Sequence, residues 1–235
     1  MVDKIIIKPI KPLCDILFFN EFCFGQFENR VIPLFGPNGV GKSSFINALE
    51  EHGRNRGTFL TVTKTNDKPI RFISYINGKD NLKSSKEPRD HTLSFDPMYL
   101  KLQWDARGLS EGQSVIYSLY DLLDGLKPGK NGFDLDDDTD YLICLDEIDS
   151  GLSIDNIDVT MRKIKSIIKR PNIQIVFSFN SPRVLKWFPD VLSMYDGVAI
   201  HLETEDDMIR EIRAHKKEFD KVRKRSNGRP KVYDY

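Results

Sequence analysis

Residues 36–44 read GPNGVGKSS, which fits the pattern G-x-x-x-x-G-K-[ST]. A predicted strand at 28–35 precedes this stretch and a predicted helix at 42–53 follows it, as the pattern requires. Glycines let main-chain N–H groups at a helix N-terminus approach phosphate oxygens closely. The pattern therefore predicts a phosphate-binding loop between a strand and a helix, which already restricts the chain to α/β folds.

The loop is predicted to bind ATP together with Mg²⁺. Lys42 is expected to reach the β- and γ-phosphates, and the Ser43 hydroxyl is expected to hold the metal ion. The residues predicted to contact the nucleotide from this loop are Gly36, Pro37, Asn38, Gly39, Val40, Gly41, Lys42, Ser43 and Ser44.

A second stretch, YLICLDE at 141–147, places two carboxylates at the end of an apolar strand. In α/β sheets, ligands bind beyond the carboxyl ends of the strands. Asp146 is therefore predicted to hold Mg²⁺ through its water shell, and Glu147 to polarise a water for in-line attack on the γ-phosphate. By itself an Asp-Glu pair after a strand is typical of a helix cap and first turn. The phosphate loop upstream favours the catalytic interpretation.

Between these two stretches, residues 109–113 read LSEGQ at the start of an apolar helix. Alone, this pentapeptide is a serine cap with a glutamine three residues later. The order of the three motifs resembles the ABC-type ATPases, with Glu111 standing where their signature sequence most often has Gly. The resemblance implies that Ser110, Glu111, Gly112 and Gln113 contact the γ-phosphate bound to a second copy of the chain. ATP would then lie between the two subunits of a head-to-tail homodimer.

The resemblance extends to the segments after the apolar strands. SGLS at 150–153 lies where the family's D-loop contacts the opposite subunit. FSFNSP at 177–182 has Asn180 where the family usually has a histidine that contacts the γ-phosphate. Asn180 is assigned a catalytic role on this basis. An asparagine can donate a hydrogen bond but carries neither a charge nor a transferable proton, so slow hydrolysis is expected.

Two further family positions have only candidates in this sequence. Asn77, after the predicted strand RFISYI, is the nearest residue to the family's Q-loop glutamine. Phe22 and Phe24 lie in the region where the family stacks adenine.

The alternation of apolar strands and helices in the second half predicts an α/β fold with a mainly parallel central sheet. Residues 57–78 read as a hairpin-like pair of strands, which predicts an antiparallel N-terminal flank. The resemblance implies an ABC-type P-loop ATPase domain over residues 1–202, with a short helical signature segment at about 96–126. A charged, basic helical tail would occupy residues 203–235.

Composition excludes several other classes of protein. The formal net charge is zero, so no overall basic field indicates a nucleic-acid or membrane surface. The cysteines, Cys14, Cys23 and Cys144, are odd in number and far apart, which argues against disulfides and zinc and for a reducing compartment. The chain shows neither a signal peptide nor a run of roughly 18 apolar residues, so a cytoplasmic protein without membrane contact is expected.

The preferred hypothesis is an ATPase head whose ATP-dependent dimer closure switches an associated nuclease, toxin or nucleic-acid transaction. DEIDSGLS and IQIVFSFNSP resemble soluble SMC/RecF-like heads and the small AAA-family ATPases of bacterial and phage defence loci. The segment between Lys42 and Ser110 is too short for a long coiled-coil arm. Two alternatives are the nucleotide-binding subunit of a membrane transporter and a non-hydrolysing, ATP-gated binding module.

Between 210 and 231, basic residues outnumber acidic ones, so the tail could contact nucleic acid or an acidic partner, or be a solvated helix.

Overall fold

The computed structural model describes residues 1–7, 21–23, 27, 30–53, 60–76, 111–127 and 135–227. The strands in these ranges are β1 (Val2–Ile7), β2 (Glu21–Cys23), β3 (Val31–Phe35), β4 (Leu60–Lys64), β5 (Ile70–Ile76), β6 (Asp140–Asp146), β7 (Ile173–Ser178), β8 (Asp190–Ser193) and β9 (Ala199–His201). The helices are α1 (Lys42–Gly53), α2 (Glu111–Gly125), α3 (Ile154–Ile167), α4 (Glu205–Asn227) and a 3-10 helix (Pro182–Lys186).

The central sheet has six strands in the order β5-β6-β7-β3-β8-β9. Neighbouring strands are parallel from β5 to β8, and only β9 runs antiparallel to its neighbour among the strands described in this sheet. All of β3, β6 and β7 is buried, as expected for parallel strands covered on both faces. The parallel pairing brings the carboxyl ends of these strands to one edge of the sheet.

Successive side chains of the central strands enter two separate hydrophobic layers, because strand residues alternate between the faces of a sheet. Ile143 and Leu145 of β6 join the layer that contains Met161 of α3. Cys144 joins the opposite layer, which contains Phe45 of α1. Burial raises the pKa of the Cys144 thiol, so this cysteine remains protonated and acts as a small apolar side chain.

A second sheet of three antiparallel strands, in the order β2-β1-β4, forms the N-terminal flank. The predicted α/β class, mainly parallel central sheet and antiparallel flank are confirmed. The hairpin-like interpretation of residues 57–78 is wrong in its pairing, since β4 joins β1 whereas β5 joins β6 in the central sheet. The side chains of Thr61 and Thr63 explain the difference, because they are exposed and suit a sheet with one solvated face.

The helices predicted from the sequence are present wherever the structure describes them. α1 has the predicted bounds, and α2 begins at Glu111, within the LSEGQ stretch that was predicted to start a helix. Residues 96–110 of the predicted signature segment lie outside the described residues, and the division of the chain at residue 202 stays a prediction. The sequence analysis missed β2, β8 and the 3-10 helix, all of which are short.

Within the described part of the chain, none of the helices combines the length and apolar character that crossing a membrane requires.

The two sheets are joined by the side-chain amide of Gln174 on β7. Its Oε1 accepts a hydrogen bond from Val2 N at 2.7 Å, and its Nε2 donates to Val2 O at 2.9 Å. Both contacts are buried, so neither backbone group of Val2 needs water.

We expect Gln174→Leu to lower the free energy of unfolding by roughly 1–3 kcal/mol, because it leaves a buried N–H and a buried C=O without partners. Urea denaturation checks this value. Thr63→Val, on the exposed side of β4, is the control and is expected to change stability by less than about 0.5 kcal/mol. A Gln174→Leu loss as small as that of the control would contradict the proposed junction.

Candidate active site

The loop after β3 has a backbone that only glycine adopts readily at its two ends. Gly36 has φ of 152°, and a Cβ there would lie 2.7 Å from Cγ1 of Val40. Gly41, with φ of 106°, leads directly into α1. Val40 is fully buried and anchors the loop to the core, whereas Asn38 and Gly39 are exposed. The loop therefore presents its tip to solvent while its base is fixed.

The side chain of Lys42 lies across the base of this loop. Its Nζ donates to Gly36 O at 2.6 Å and to Pro37 O at 3.4 Å, and the residue is only 6% exposed. Burial lowers the pKa of the Lys42 ammonium, and the carboxylates of Glu147, Asp149 and Asp146 oppose that change. The structure thus places a buried cation beside the carboxylates that follow β6.

Asp146 accepts hydrogen bonds from side chains of two neighbouring segments. Ser43 Oγ, at the start of α1, donates to Asp146 Oδ1 at 3.1 Å. Ser178 Oγ, at the end of β7, donates to the same oxygen at 2.5 Å. Asp146 is 4% exposed, so these hydroxyls replace the water that a surface carboxylate would bind.

The oxygens of Ser43 and Asp146 are suited to Mg²⁺, which prefers hard oxygen ligands and keeps several waters. The described residues contain no group of three or more His, Cys, Asp or Glu side chains that could hold a metal ion. Magnesium binding here would therefore depend on one hydroxyl, one carboxylate and oxygens from the nucleotide and water.

Glu147 has an unusual backbone conformation. Its φ is 49°, in the left-handed region, which costs a residue other than glycine roughly 1–3 kcal/mol. Its N–H donates to Ser178 Oγ at 2.6 Å, and the next N–H, of Ile148, donates to Ser178 O at 3.2 Å. The end of β7 therefore fixes the main chain of Glu147, whose side chain is half-buried.

Asn180 lies on the turn after β7, with an exposed side chain. Its main-chain N–H donates to Asp149 Oδ2 at 2.8 Å, and the N–H of Ser181 donates to the same oxygen. Asp149 itself is 7% exposed. This carboxylate joins the turn that carries Asn180 to the turn that carries Glu147.

Sequence reasoning missed Ser178 and Asp149 as members of this site. Each is a polar residue at the end of an apolar strand or in the turn that follows, and that position was the available signal. Pro37, within the loop, and Ser44, in the first turn of α1, are half-buried. The structure brings together Lys42, Ser43, Asp146 and Glu147 of the predicted set.

The predicted signature segment is described only in part. Glu111, Gly112 and Gln113 form the first turn of α2, while Ser110 lies outside the described residues. Asn77 and Phe24 also lie outside them, and Phe22 is described in β2 without its side chain.

Further along, α2 is fastened to α3, the helix that follows the predicted D-loop. Tyr120 Oη donates to Asn156 O at 3.0 Å, and Lys163 Nζ lies 2.5 Å from Asp124 Oδ1. Ser153 caps α3 by accepting a hydrogen bond from the N–H of Asn156 at 3.4 Å. The helix that begins at the predicted signature segment and the helix behind the predicted D-loop are thus joined by side-chain contacts.

The chain is similar in overall fold to solved structures. A nucleotide-free ATP-binding cassette from an ABC transporter matches with a TM-score of 0.50 at 13% identity, over 92% of this chain and 97% of that one. The fold is that of an ATP-binding cassette. A second cassette of an ABC transporter, in its ADP conformation, matches with a TM-score of 0.49 at 13% identity, over 97% of this chain and 100% of that one.

No protein-family model and no curated protein matches this sequence.

We expect Ser178→Ala to lower the free energy of unfolding by about 1–3 kcal/mol. The substitution removes the hydroxyl that both donates to Asp146 and accepts from the strained Glu147 main chain. Ser193→Ala in β8 is a matched control, because Ser193 is also fully buried but its hydroxyl accepts only a long 3.4 Å contact from Tyr195 N among the hydrogen bonds described. Equal losses for the two variants, measured by urea denaturation, would argue against a special role for Ser178.

Proposed function

We propose that this chain is a Mg²⁺-dependent ATPase. The observation that carries the proposal is the convergence of Lys42, Ser43, Asp146 and Glu147 at the carboxyl edge of one parallel sheet. A buried cation, a glycine-rich loop at a helix N-terminus and oxygen ligands for magnesium are the groups that a bound polyphosphate requires. The similarity in fold to an ATP-binding cassette adds support.

The chain's own groups have distinct roles in this proposal. Main-chain N–H groups of residues 39–44 and the Lys42 ammonium bind the β- and γ-phosphates. Ser43 and Asp146 would hold Mg²⁺, which would neutralise charge on the phosphate oxygens. Glu147 orients a water and takes one of its protons as the water oxygen attacks the γ-phosphorus. The bond from that phosphorus to the oxygen of ADP breaks, and ADP carries away the electron pair.

Asn180 supplies a hydrogen bond to the γ-phosphate from its side-chain amide in this mechanism. Its exposed side chain lies on a turn joined to the Glu147 turn through Asp149. Because an amide has no charge at neutral pH, the transition state gains less stabilisation than a protonated histidine would provide. We therefore propose slow hydrolysis.

We further propose that two copies close head to tail around two ATP molecules. Supporting this, Glu111, Gly112 and Gln113 lie at the N-terminus of α2, where main-chain N–H groups favour a negative charge. The predicted D-loop has exposed residues at Ser150 and Gly151. Both segments would face the partner's nucleotide in such a dimer.

The output of the switch is proposed to be an associated effector, such as a nuclease or toxin, or bound nucleic acid, in a setting such as phage defence. Exposed basic residues of α4, among them Arg213, Lys216 and Lys217, supply a surface for an acidic partner or for phosphates. The same cassette fold occurs in transporter subunits, so co-purification with a membrane protein would favour that alternative.

We expect Lys42→Ala to abolish detectable ATP binding, because it removes the buried cation of the loop. Isothermal titration calorimetry with Mg²⁺ and ATP measures the affinity. Lys169→Ala, which removes an exposed lysine at the end of α3, is the control and should bind as the unchanged chain does. Unchanged ATP affinity in Lys42→Ala would overturn the proposed site. ATP bound without phosphate release above the Lys42→Ala level would favour the non-hydrolysing module.

We expect Glu147→Gln to bind ATP and remain dimeric, because the amide keeps the shape of the side chain but cannot accept the proton of the attacking water. Light scattering after size-exclusion chromatography should give twice the monomer mass with ATP and the monomer mass without it. The double variant Lys42→Ala/Glu147→Gln is the control and should stay monomeric. A monomer mass for Glu147→Gln at saturating ATP would contradict the homodimer.

A further inference from the structure

The carboxylate of Asp149 bridges two turns that are far apart in the chain. Its Oδ2 accepts hydrogen bonds from two successive main-chain N–H groups, those of Asn180 and Ser181. Asp149 stands two residues after Glu147, in the turn that leaves β6. The contact therefore connects the residue proposed as the proton acceptor to the residue proposed to face the γ-phosphate.

The two turns are joined at several neighbouring points. Ser178 accepts from Glu147 N through its hydroxyl and from Ile148 N through its carbonyl. Asp149 adds the bond to Asn180 beyond the end of β7. With these contacts made, the Glu147 main chain and the Asn180 main chain cannot shift independently.

Capping of the 3-10 helix does not account for Asp149. Ser181 is the N-cap of this helix, and its own hydroxyl accepts the N–H of Arg183 at 3.3 Å. At the other side, Asp158 on α3 holds the Arg183 guanidinium and accepts from Trp187 Nε1 at 2.8 Å. The 3-10 helix is thus capped and anchored without the carboxylate.

The carboxylate of Asp149 also has one more buried oxygen than the tie between the two turns needs. Its Oδ1 is buried and has no hydrogen-bond partner among the described residues. A buried carboxylate oxygen without a donor is costly, and a neutral asparagine could accept the same two N–H groups. The Asp149 charge stabilises the nearby Lys42 ammonium, and this interaction offsets part of the cost of burying the oxygen.

We propose that Asp149 is a positioning residue that holds Asn180 and Glu147 in one fixed geometry around the γ-phosphate. The inference rests on the proposed ATPase function and names a residue of that same site. The hydrogen bonds of Oδ2 set the position of the Asn180 main chain.

Two substitutions separate the hydrogen bonds of Asp149 from its charge. Asp149→Asn keeps an oxygen that accepts from Asn180 and Ser181 but removes the charge, whereas Asp149→Ala removes both. In hydrogen–deuterium exchange of the nucleotide-free protein, Asp149→Ala should speed exchange at the amides of Asn180 and Ser181, and Asp149→Asn should retain the protection. Unchanged exchange in Asp149→Ala overturns the proposed tie, whether or not the chain hydrolyses ATP.

In phosphate-release assays, Asp149→Ala should lower kcat by about 10- to 100-fold, because small displacements of catalytic groups cost that much. Asp149→Asn should keep kcat within about threefold of the unchanged chain. Its Kd for ATP should fall severalfold, because one anion near the polyphosphate is gone. The effect is therefore a split between kcat and binding, which a loss of stability alone would not produce.

Gln174→Leu is the control for stability. Gln174 is a buried polar residue on β7, the strand that leads to Asn180, and its side chain bonds to β1 instead of the site. It should lower stability and leave kcat unchanged. Wild-type kcat in Asp149→Ala, or an equal loss of kcat in Asp149→Asn, overturns the positioning role. Absence of ATP binding by the unchanged chain would instead refute the proposed function, and the exchange experiment would still decide the tie.

Discussion

The site depends on one buried carboxylate, that of Asp146. It lies at the end of β6 and is satisfied by the hydroxyls of Ser43, at the start of α1, and Ser178, at the end of β7. A buried carboxylate is tolerated only when donors replace its water, so its presence fixes where those segments end relative to one another. The loop after β3, the turn after β6 and the end of β7 meet at this oxygen.

The sheet makes this meeting possible by placing strand ends in register. Leu145 pairs with Phe177, and Leu34 pairs with Ser178, so β3, β6 and β7 end at nearly the same level. Hydrophobic layers on both faces keep these strands from sliding, because a shift by one residue would exchange every buried side chain between the layers. Packing in the core therefore sets the spacing of polar groups at the edge.

Much of the fold could be predicted from the sequence, because its signals are local. The phosphate loop, α1 and the buried strands β6 and β7 depend on residue patterns within short windows. The partners of β4 and β5 could not be assigned from such windows, since the two strands are adjacent in sequence but join different sheets. Strand β8 was missed because four residues, two of them polar, show little periodicity.

The predicted site divides in the same way. Lys42, Ser43, Asp146 and Glu147 belong to motifs that can be read in the sequence, and the structure brings them together. Ser178 and Asp149 could not be found from such motifs, because the groups they bond across the two turns lie 30 to 32 positions away along the chain. Contacts of that separation arise from the pairing of strands and leave no local pattern.

The position of Lys42 has a consequence for selectivity between anions. Its ammonium is buried and donates to the carbonyl of Gly36. Most of the free-energy cost of removing water from this group is therefore part of folding and not of ligand binding. An incoming anion must outcompete that carbonyl and overcome the negative field of three carboxylates. Singly charged ions such as chloride or acetate offer too little attraction for this exchange, whereas a polyphosphate arriving with its magnesium brings both the charge and the countercharge. In the proposed ATP site, the position of Lys42 would therefore favour metal-bound polyphosphates over singly charged anions before any contact with the base or sugar is made.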